Sequence, residues 1–316
     1  MTQRAIRLSV APMMERTDRH CRYLLRLLAP NTLLYTEMIT SSALLRGDSR
    51  ELLRFHDSEH PVALQLGGSE PAELAAAAKL GEGAGYDEIN INVGCPSDRV
   101  QAGSFGAALM ERPDVVADIV TAISEVVSVP VTVKTRLGID ELDSYEFLRE
   151  FVERVASAGC ETFIIHARKA ILGGLSPKQN REIPALDYRR VHRLKKEFPD
   201  LAIVINGGFA DEATVLEQLR YVDGVMLGRQ AYQNPYLLAQ LDRVIFSGAS
   251  LPTREQIVLN YLPYLRRELE RGTALKSMTR HLMGIYTAQP GGKRWRRFLS
   301  ELPHGREGLV ELQARL

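Results

Sequence analysis

The chain has 316 residues, of which 45% are hydrophobic and 25% charged, and its formal net charge at pH 7 is +1. That length buries a large core and suits one large domain with a small companion better than two equal halves. Three distant cysteines, Cys21, Cys95 and Cys160, exclude a disulfide framework and a zinc-ligand spacing; with no apolar leader and no run of membrane-spanning length, the expectation is a soluble cytoplasmic protein with no metal and no membrane.

In chain order, short β-branched runs alternate with longer helical patterns. The predicted strands are 7–11, 32–36, 61–66, 88–93, 130–135, 162–166, 202–206 and 224–227. Between them lie helical stretches such as 71–80, 113–127, 144–158, 187–198 and 211–219, the last opening on Asp211 as an N-cap. Eight strands each followed by a helix is the rhythm of an α/β protein built as a (β/α)8 TIM barrel. The rival, a doubly wound open sheet, lacks its fingerprint. Gly81-Glu82-Gly83-Ala84-Gly85 precedes a strand, where a dinucleotide fingerprint must follow one, and reads as a helix end and turn.

After Gly228 a helical stretch runs to about 246, residues 247–252 form a linker, and the chain beyond is helical at 253–271, 275–286 and 295–300. The division is therefore 1–246, the barrel, and 252–316, a small all-helical domain. Residues 251–316 hold 12 Lys and Arg against 6 Asp and Glu, whereas the preceding part holds 28 against 33. A basic tail on an otherwise acidic chain suits a polyanion such as nucleic acid, with a solvated helical surface as the plainer alternative.

Barrel active sites gather where the strands end, and strand side chains alternate between axis and helices. The first of those ends to stand out is Asn90-Ile91-Asn92-Val93-Gly94-Cys95-Pro96-Ser97, which sets a cysteine just past a buried strand, at the start of the loop 97–106. A thiol there can meet a substrate as nucleophile or acid; the plainer reading is a buried strand-end cysteine. Parity then turns Gln65, Asn92, Lys134, Arg136 and His166 inward, so that one mouth holds them with Cys95. Each has an ordinary structural role open to it: Gln65 or Asn92 satisfying loop backbone, His166 hydrogen-bonded in a core, Lys134 in an ion pair. Six polar groups at one rim are hard to explain structurally, because each costs free energy when buried without a partner. Asn206-Gly207-Gly208 and Gly228-Arg229 end the seventh and eighth strands, where glycine lets main-chain N–H groups approach a phosphate and Arg229 adds charge.

These residues, with Ala11-Pro12-Met13-Met14, Lys134-Thr135-Arg136-Leu137-Gly138 and His166-Ala167-Arg168, resemble those of the tRNA-dihydrouridine synthases over nearly the whole chain. The runs 17–22 and 180–184 look like the DusA-like branch, which reduces D-loop uridines 20 and 20a of tRNA. The resemblance implies a TIM barrel with a C-terminal helical domain, FMN as prosthetic group and NADPH as reductant. It implies that FMN rests on Pro12 and Met13 and bonds Gln65. Lys134 would lie near the edge where reduced flavin carries negative charge, and His166 would contact flavin or uracil. Asn206, Gly207, Gly208, Gly228 and Arg229 would hold the phosphate. Hydride would pass from flavin N5 to C6 of uridine and a proton from Cys95 to C5, a thiol of ordinary pKa being mostly protonated at neutral pH. Asn92 and Arg136 are the choices for holding the uracil. Lys178, Arg181, Lys293, Arg294, Arg296 and Arg297 are the candidate tRNA contacts, with Trp295 among them assigned to packing. No feature calls for an obligate protein partner.

Three rivals remain. A dihydroorotate dehydrogenase-like FMN barrel acts on a free pyrimidine but leaves the basic tail without a purpose. A barrel aldolase would use Lys134 as a Schiff base. A catalytically inactive RNA-binding barrel would leave Cys95, Lys134 and His166 without one.

Overall fold

A computed structural model describes residues 7–97, 100, 103, 105–248 and 251–316. Part of the 97–106 loop and residues 249 and 250 of the predicted linker lie outside the described residues.

Eight parallel strands form the barrel: β1 (Leu8–Val10), β2 (Leu33–Tyr35), β3 (Val62–Gly67), β4 (Glu88–Val93), β5 (Val131–Arg136), β6 (Thr162–His166), β7 (Ala202–Asn206) and β8 (Gly224–Leu227). Each pairs with the next, and β1 closes the ring by pairing with both β2 and β8, Ser9 lying opposite Leu33 on one side and Met226 on the other. A two-residue strand, Ile39–Thr40, extends the edge of β3 at Leu66 and Gly67. Two apolar layers follow from the strand alternation. Ala11, Leu33, Tyr35, Ala63, Ile164, Val204 and Met226 fill the barrel, while a much larger core lies between strands and helices. All eight predicted strands are present, with ends moved by at most one residue.

The helices differ more from expectation. The first after β3 spans Pro71–Ala84 and ends at Gly85, whose φ of 100° suits a glycine cap. Gly81 and Gly83 are thus inside the helix instead of in a turn. A Cβ on Gly81 would come within 2.4 Å of Leu64 Cδ2, so glycine lets this helix settle on β3. The stretch after Gly228 is two helices, Arg229–Gln233 and Pro235–Phe246. Pro235 holds the preceding Asn234 out of the helical region, so the first helix stops there and the second starts on proline. The polar helix Arg19–Leu28, capped by Asp18, went unpredicted because two of its buried residues are Arg22 and Arg26.

Beyond 252 the chain forms Arg254–Glu270, Leu275–Thr279, a 3-10 turn at Arg280–Gly284, Gly292–Glu301 and Gly305–Arg315. The predicted single helix 275–286 is therefore split, and the last helix was not anticipated. These helices seat on Arg19–Leu28. Tyr261 Oη donates to His20 O at 3.1 Å, Tyr264 stacks on Tyr23 at 3.9 Å between ring centres, and Arg19 pairs with the buried Glu268 at 2.5 Å.

Candidate active site

The strand register sets the rim. Asn92 lies opposite Lys134, Arg136 opposite His166, and His166 opposite Asn206. Inward parity therefore delivers an amide, an amine, a guanidinium and an imidazole to one end of the barrel. Cys95 follows, partly buried, in the loop beyond β4.

Asn92 holds that loop. Its Oδ1 accepts from the main-chain N–H of Cys95 at 3.0 Å and of Gly94 at 3.2 Å, and its Nδ2 donates to Gln65 Oε1 at 2.8 Å. The loop closes again at Gly106, where Ala107 N–H donates to Cys95 O at 3.0 Å. Gly106 has φ of 70°, and a Cβ there would lie 2.6 Å from Cys95 O, so only glycine fits. The thiol itself lies 3.5 Å from Ser97 Oγ.

Arg136 ties this loop to the one after β6. Its Nε donates to Gly94 O at 2.8 Å, and its Nη1 donates to Lys169 O and Asn180 O, each at 3.1 Å. A guanidinium so engaged offers a ligand mainly its Nη2. Burial and the neighbouring charge of Arg181 and Arg168 draw its pKa down to about 10, against the pull of Cys95, so it stays charged at neutral pH.

Lys134 Nζ donates to Asn206 Oδ1 at 3.3 Å. Burial, helped by Arg136, lowers its pKa to about 7. An anion placed beside it restores the charged form. His166 is pushed well below its ordinary value by burial first and then by Arg136, Lys134, Arg168 and Arg181. It is a neutral imidazole in a cationic rim, and its Nδ1 is buried without a hydrogen-bond partner among the described residues. Gly207 and Gly208 turn beside it with φ of 118° and 79°, and a Cβ on Gly207 would lie 3.2 Å from His166 Nε2. Nothing stands within 4 Å of where a Cβ on Gly228 would be, which leaves that main chain open.

The other expected residues fall into two groups. Met13 packs on the cluster inside the barrel, and the turn it begins with Pro12 is held by Thr17 Oγ1, which accepts from Met13 N–H at 2.9 Å. Lys178 and Arg181 are exposed on the loop after β6. Arg229 pairs with Glu182 of that loop at 2.6 Å, so its charge is already partly answered. Lys293, Arg294, Arg296 and Arg297 are exposed on Gly292–Glu301, which packs on the 3-10 turn and not at the rim. Trp295 is buried there and donates to Leu282 O at 2.9 Å, a packing role as expected. Sequence reasoning gave no role to Arg16 or Arg168, further charges near the rim, although Arg168 lies in a quoted motif, nor to Asn180 of the run 180–184, a buried asparagine that bonds Ile171 and Leu175 and so shapes the loop after β6. It also missed Tyr35 and Glu88 inside the barrel. An inward carboxylate two residues before Asn90 was the available signal.

The rim can hold an anion at Lys134 and the glycine turns, offer amides to a planar polar ring, and present a thiol to it. Among the described residues no cluster of side chains suits a metal ion, and no helix is long and apolar enough to cross a membrane.

The family model described as dihydrouridine synthase matches residues 9–315. The tRNA-dihydrouridine(20/20a) synthase of Vibrio cholerae is 56% identical over 301 residues, covering 94% of this chain and 91% of that one. Its counterpart in Escherichia coli K12 is 57% identical over 300 residues, covering 94% and 87%. That of Vibrio vulnificus is 57% identical over 300 residues, covering 94% and 92%.

Proposed function

The chain belongs to the dihydrouridine synthase family, and from that membership we propose that it reduces the C5=C6 bond of uridine in tRNA to give 5,6-dihydrouridine. The substrate positions are uridines 20 and 20a, the numbers in the names of its relatives, taken as uridines of the D-loop, and the compartment is the cytoplasm. The observation that carries the reading is Cys95, held by Asn92 at the barrel rim that Lys134 and His166 also line.

The prosthetic group is FMN and the reductant NADPH. The unpartnered Nδ1 of His166, the lowered pKa of Lys134 and the open main chain at Gly228 fit a ring that carries a phosphate. Pro12, Met13, Gln65, Lys134 and His166 would hold the ring, and Asn206, Gly207, Gly208, Gly228 and Arg229 would hold the phosphate. Arg229 would do so alongside its pair with Glu182. When bound and reduced, FMN supplies the hydride for C6.

The chain's own residues do the rest. Cys95 Sγ holds the proton that C5 receives, so hydride and proton together saturate the bond. Asn92 fixes the main chain that leads into the thiol, and Ala107 N–H holds the carbonyl beyond it. Lys134 would set positive charge beside the bound ring. Arg136 keeps the Cys95 loop against its neighbour and gives Nη2 to the uracil, with the free N–H of Asn92. The base must leave its stack to reach this site, at a cost of a few kcal/mol that is least in a loop. Lys178 and Arg181 meet RNA at the rim. Residues 252–316 form the second, tRNA-binding unit through Lys293, Arg294, Arg296 and Arg297, beside the catalytic unit 1–246.

The test is an absorbance spectrum of the purified protein, followed by NADPH and then unmodified tRNA without oxygen. Flavin bands that bleach with NADPH and return with tRNA are the expected result. Return only with a free pyrimidine would move the enzyme to the dihydroorotate dehydrogenase-like class. No flavin after reconstitution with FMN would overturn the reading.

A further inference from the structure

A file of hydrogen-bonded polar side chains runs up the inside of the barrel and ends at the catalytic loop. At its inner end Glu88 Oε1 accepts from Tyr35 Oη at 2.6 Å and from Thr132 Oγ1 at 2.7 Å. Asn90 Nδ2 donates to Thr132 Oγ1 at 2.8 Å, and Gln65 Nε2 donates to Asn90 Oδ1 at 2.7 Å. Asn92 Nδ2 donates to Gln65 Oε1 at 2.8 Å, and Asn92 Oδ1 accepts from Cys95 N–H at 3.0 Å. All six side chains are buried.

Every bond in the file points the same way, and the chemistry of the groups requires it. A hydroxyl has one hydrogen; once Thr132 gives it to Glu88, Thr132 can only accept from Asn90. Asn90 must then turn its carbonyl to Gln65, Gln65 its carbonyl to Asn92, and Asn92 its carbonyl to the Cys95 N–H. A carboxylate at one end and a main-chain donor at the other agree on one orientation for three amides. Reversing any one of them would face donor to donor or acceptor to acceptor in a buried site.

We propose that Glu88 is a positioning residue: as the acceptor that ends the file, it fixes the faces that Gln65 and Asn92 turn to the mouth. Outside the file, Gln65 has one N–H and one lone pair left, and Asn92 one N–H. That set complements a ring edge with a carbonyl next to an N–H. The last step, that such an edge is bound there, rests on the FMN and uridine reading above. Stability alone gives no reason for this carboxyl. Burial raises its pKa to about 7 despite the hydrogen bonds from Tyr35 and Thr132, a cost that an apolar side chain would avoid.

Four variants separate positioning from packing. Glu88→Gln keeps an oxygen to accept from both hydroxyls, and Glu88→Leu removes it. Thr132→Val cuts the file one step higher with the same shape, and Thr132→Ser keeps its hydroxyl. The first readout is the side-chain amide NMR signals of Gln65, Asn90 and Asn92 in flavin-free protein. One slowly exchanging set is expected in the parent, Glu88→Gln and Thr132→Ser, and split or broadened sets in Glu88→Leu and Thr132→Val. The second readout is the affinity for FMN, expected to fall about tenfold or more in Thr132→Val and Glu88→Leu and to stay within about threefold in the other two. Should Glu88→Leu fail to fold, Thr132→Val carries the test. A folded Thr132→Val with the parent's amide signals and FMN affinity would overturn the proposal. A parent that takes up no FMN would instead sink the functional reading, and the amide signals alone would then judge Glu88.

Discussion

Cys95 is placed by its neighbours. Asn92 holds its N–H and Ala107 its carbonyl, so the thiol is presented by a fixed main chain instead of being packed into a core as Cys21 and Cys160 are. Cys95→Ala is therefore expected to bind FMN like the parent yet lose most turnover, with Cys95→Ser keeping a little; full turnover in Cys95→Ala, measured as dihydrouridine formed in tRNA, would remove the thiol from the mechanism. Lys134 makes a second prediction through its pKa near 7. An unfolded lysine keeps its proton to about pH 10.4, whereas the folded one releases it near neutrality, so unfolding takes up a proton in between. The stability of the flavin-free protein attributable to this residue should rise with pH across that window, and Lys134→Met should lose that part of the slope. Denaturant melts of both proteins from pH 6 to 10 check it; parallel curves would count against a buried, neutralised lysine.

At the scale of elements, the strands were legible because each is short, β-branched and bounded by glycine, proline or polar turns. β4, β6, β7 and β8 have the predicted ends. Helix ends were harder to read, since burial against a strand can draw glycine into a helix, as Leu64 does at Gly81, and proline can split one, as Pro235 does. The loop that carries Cys95 offers a direct test. Gly106→Ala forces a Cβ against Cys95 O at positive φ, at a cost of about 1–3 kcal/mol. Turnover is expected to fall further than this stability loss alone would produce at a temperature where the variant is fully folded. Unchanged turnover in a folded Gly106→Ala would show that the loop tolerates displacement.

Across the whole molecule, the barrel and the C-terminal helices meet along Arg19–Leu28. Glu268 there accepts from Arg19 at 2.5 Å and from Arg271 at 3.0 Å, and Asp18 holds both Arg280 and His281. Asp18 also caps the helix Arg19–Leu28, so one carboxylate both starts that barrel helix and ties it to the tail. Lys293, Arg294, Arg296 and Arg297 are exposed on the tail's outer face, and Arg297 is paired with Glu301 at 2.8 Å. Replacing Arg296 and Arg297 together by Ala should weaken tRNA binding and flatten the slope of log K against log salt by up to about 2. A filter-binding series across salt concentrations measures it, and an unchanged slope would assign the tRNA footprint elsewhere.

The sequence by itself determined the class of fold, the inward parity of Gln65, Asn92, Lys134, Arg136 and His166, and the place of Cys95 just past a strand end. Period-two alternation and strand-end polarity are local properties, readable without a partner. Only the tertiary structure decided how those side chains are used. It gave most of Arg136 to loop carbonyls, paired Arg229 with Glu182, and linked Glu88 to Cys95 through three amides. A hydrogen bond needs two groups within about 3 Å in the right direction. For residues on different strands and loops, only closure of the barrel sets that distance.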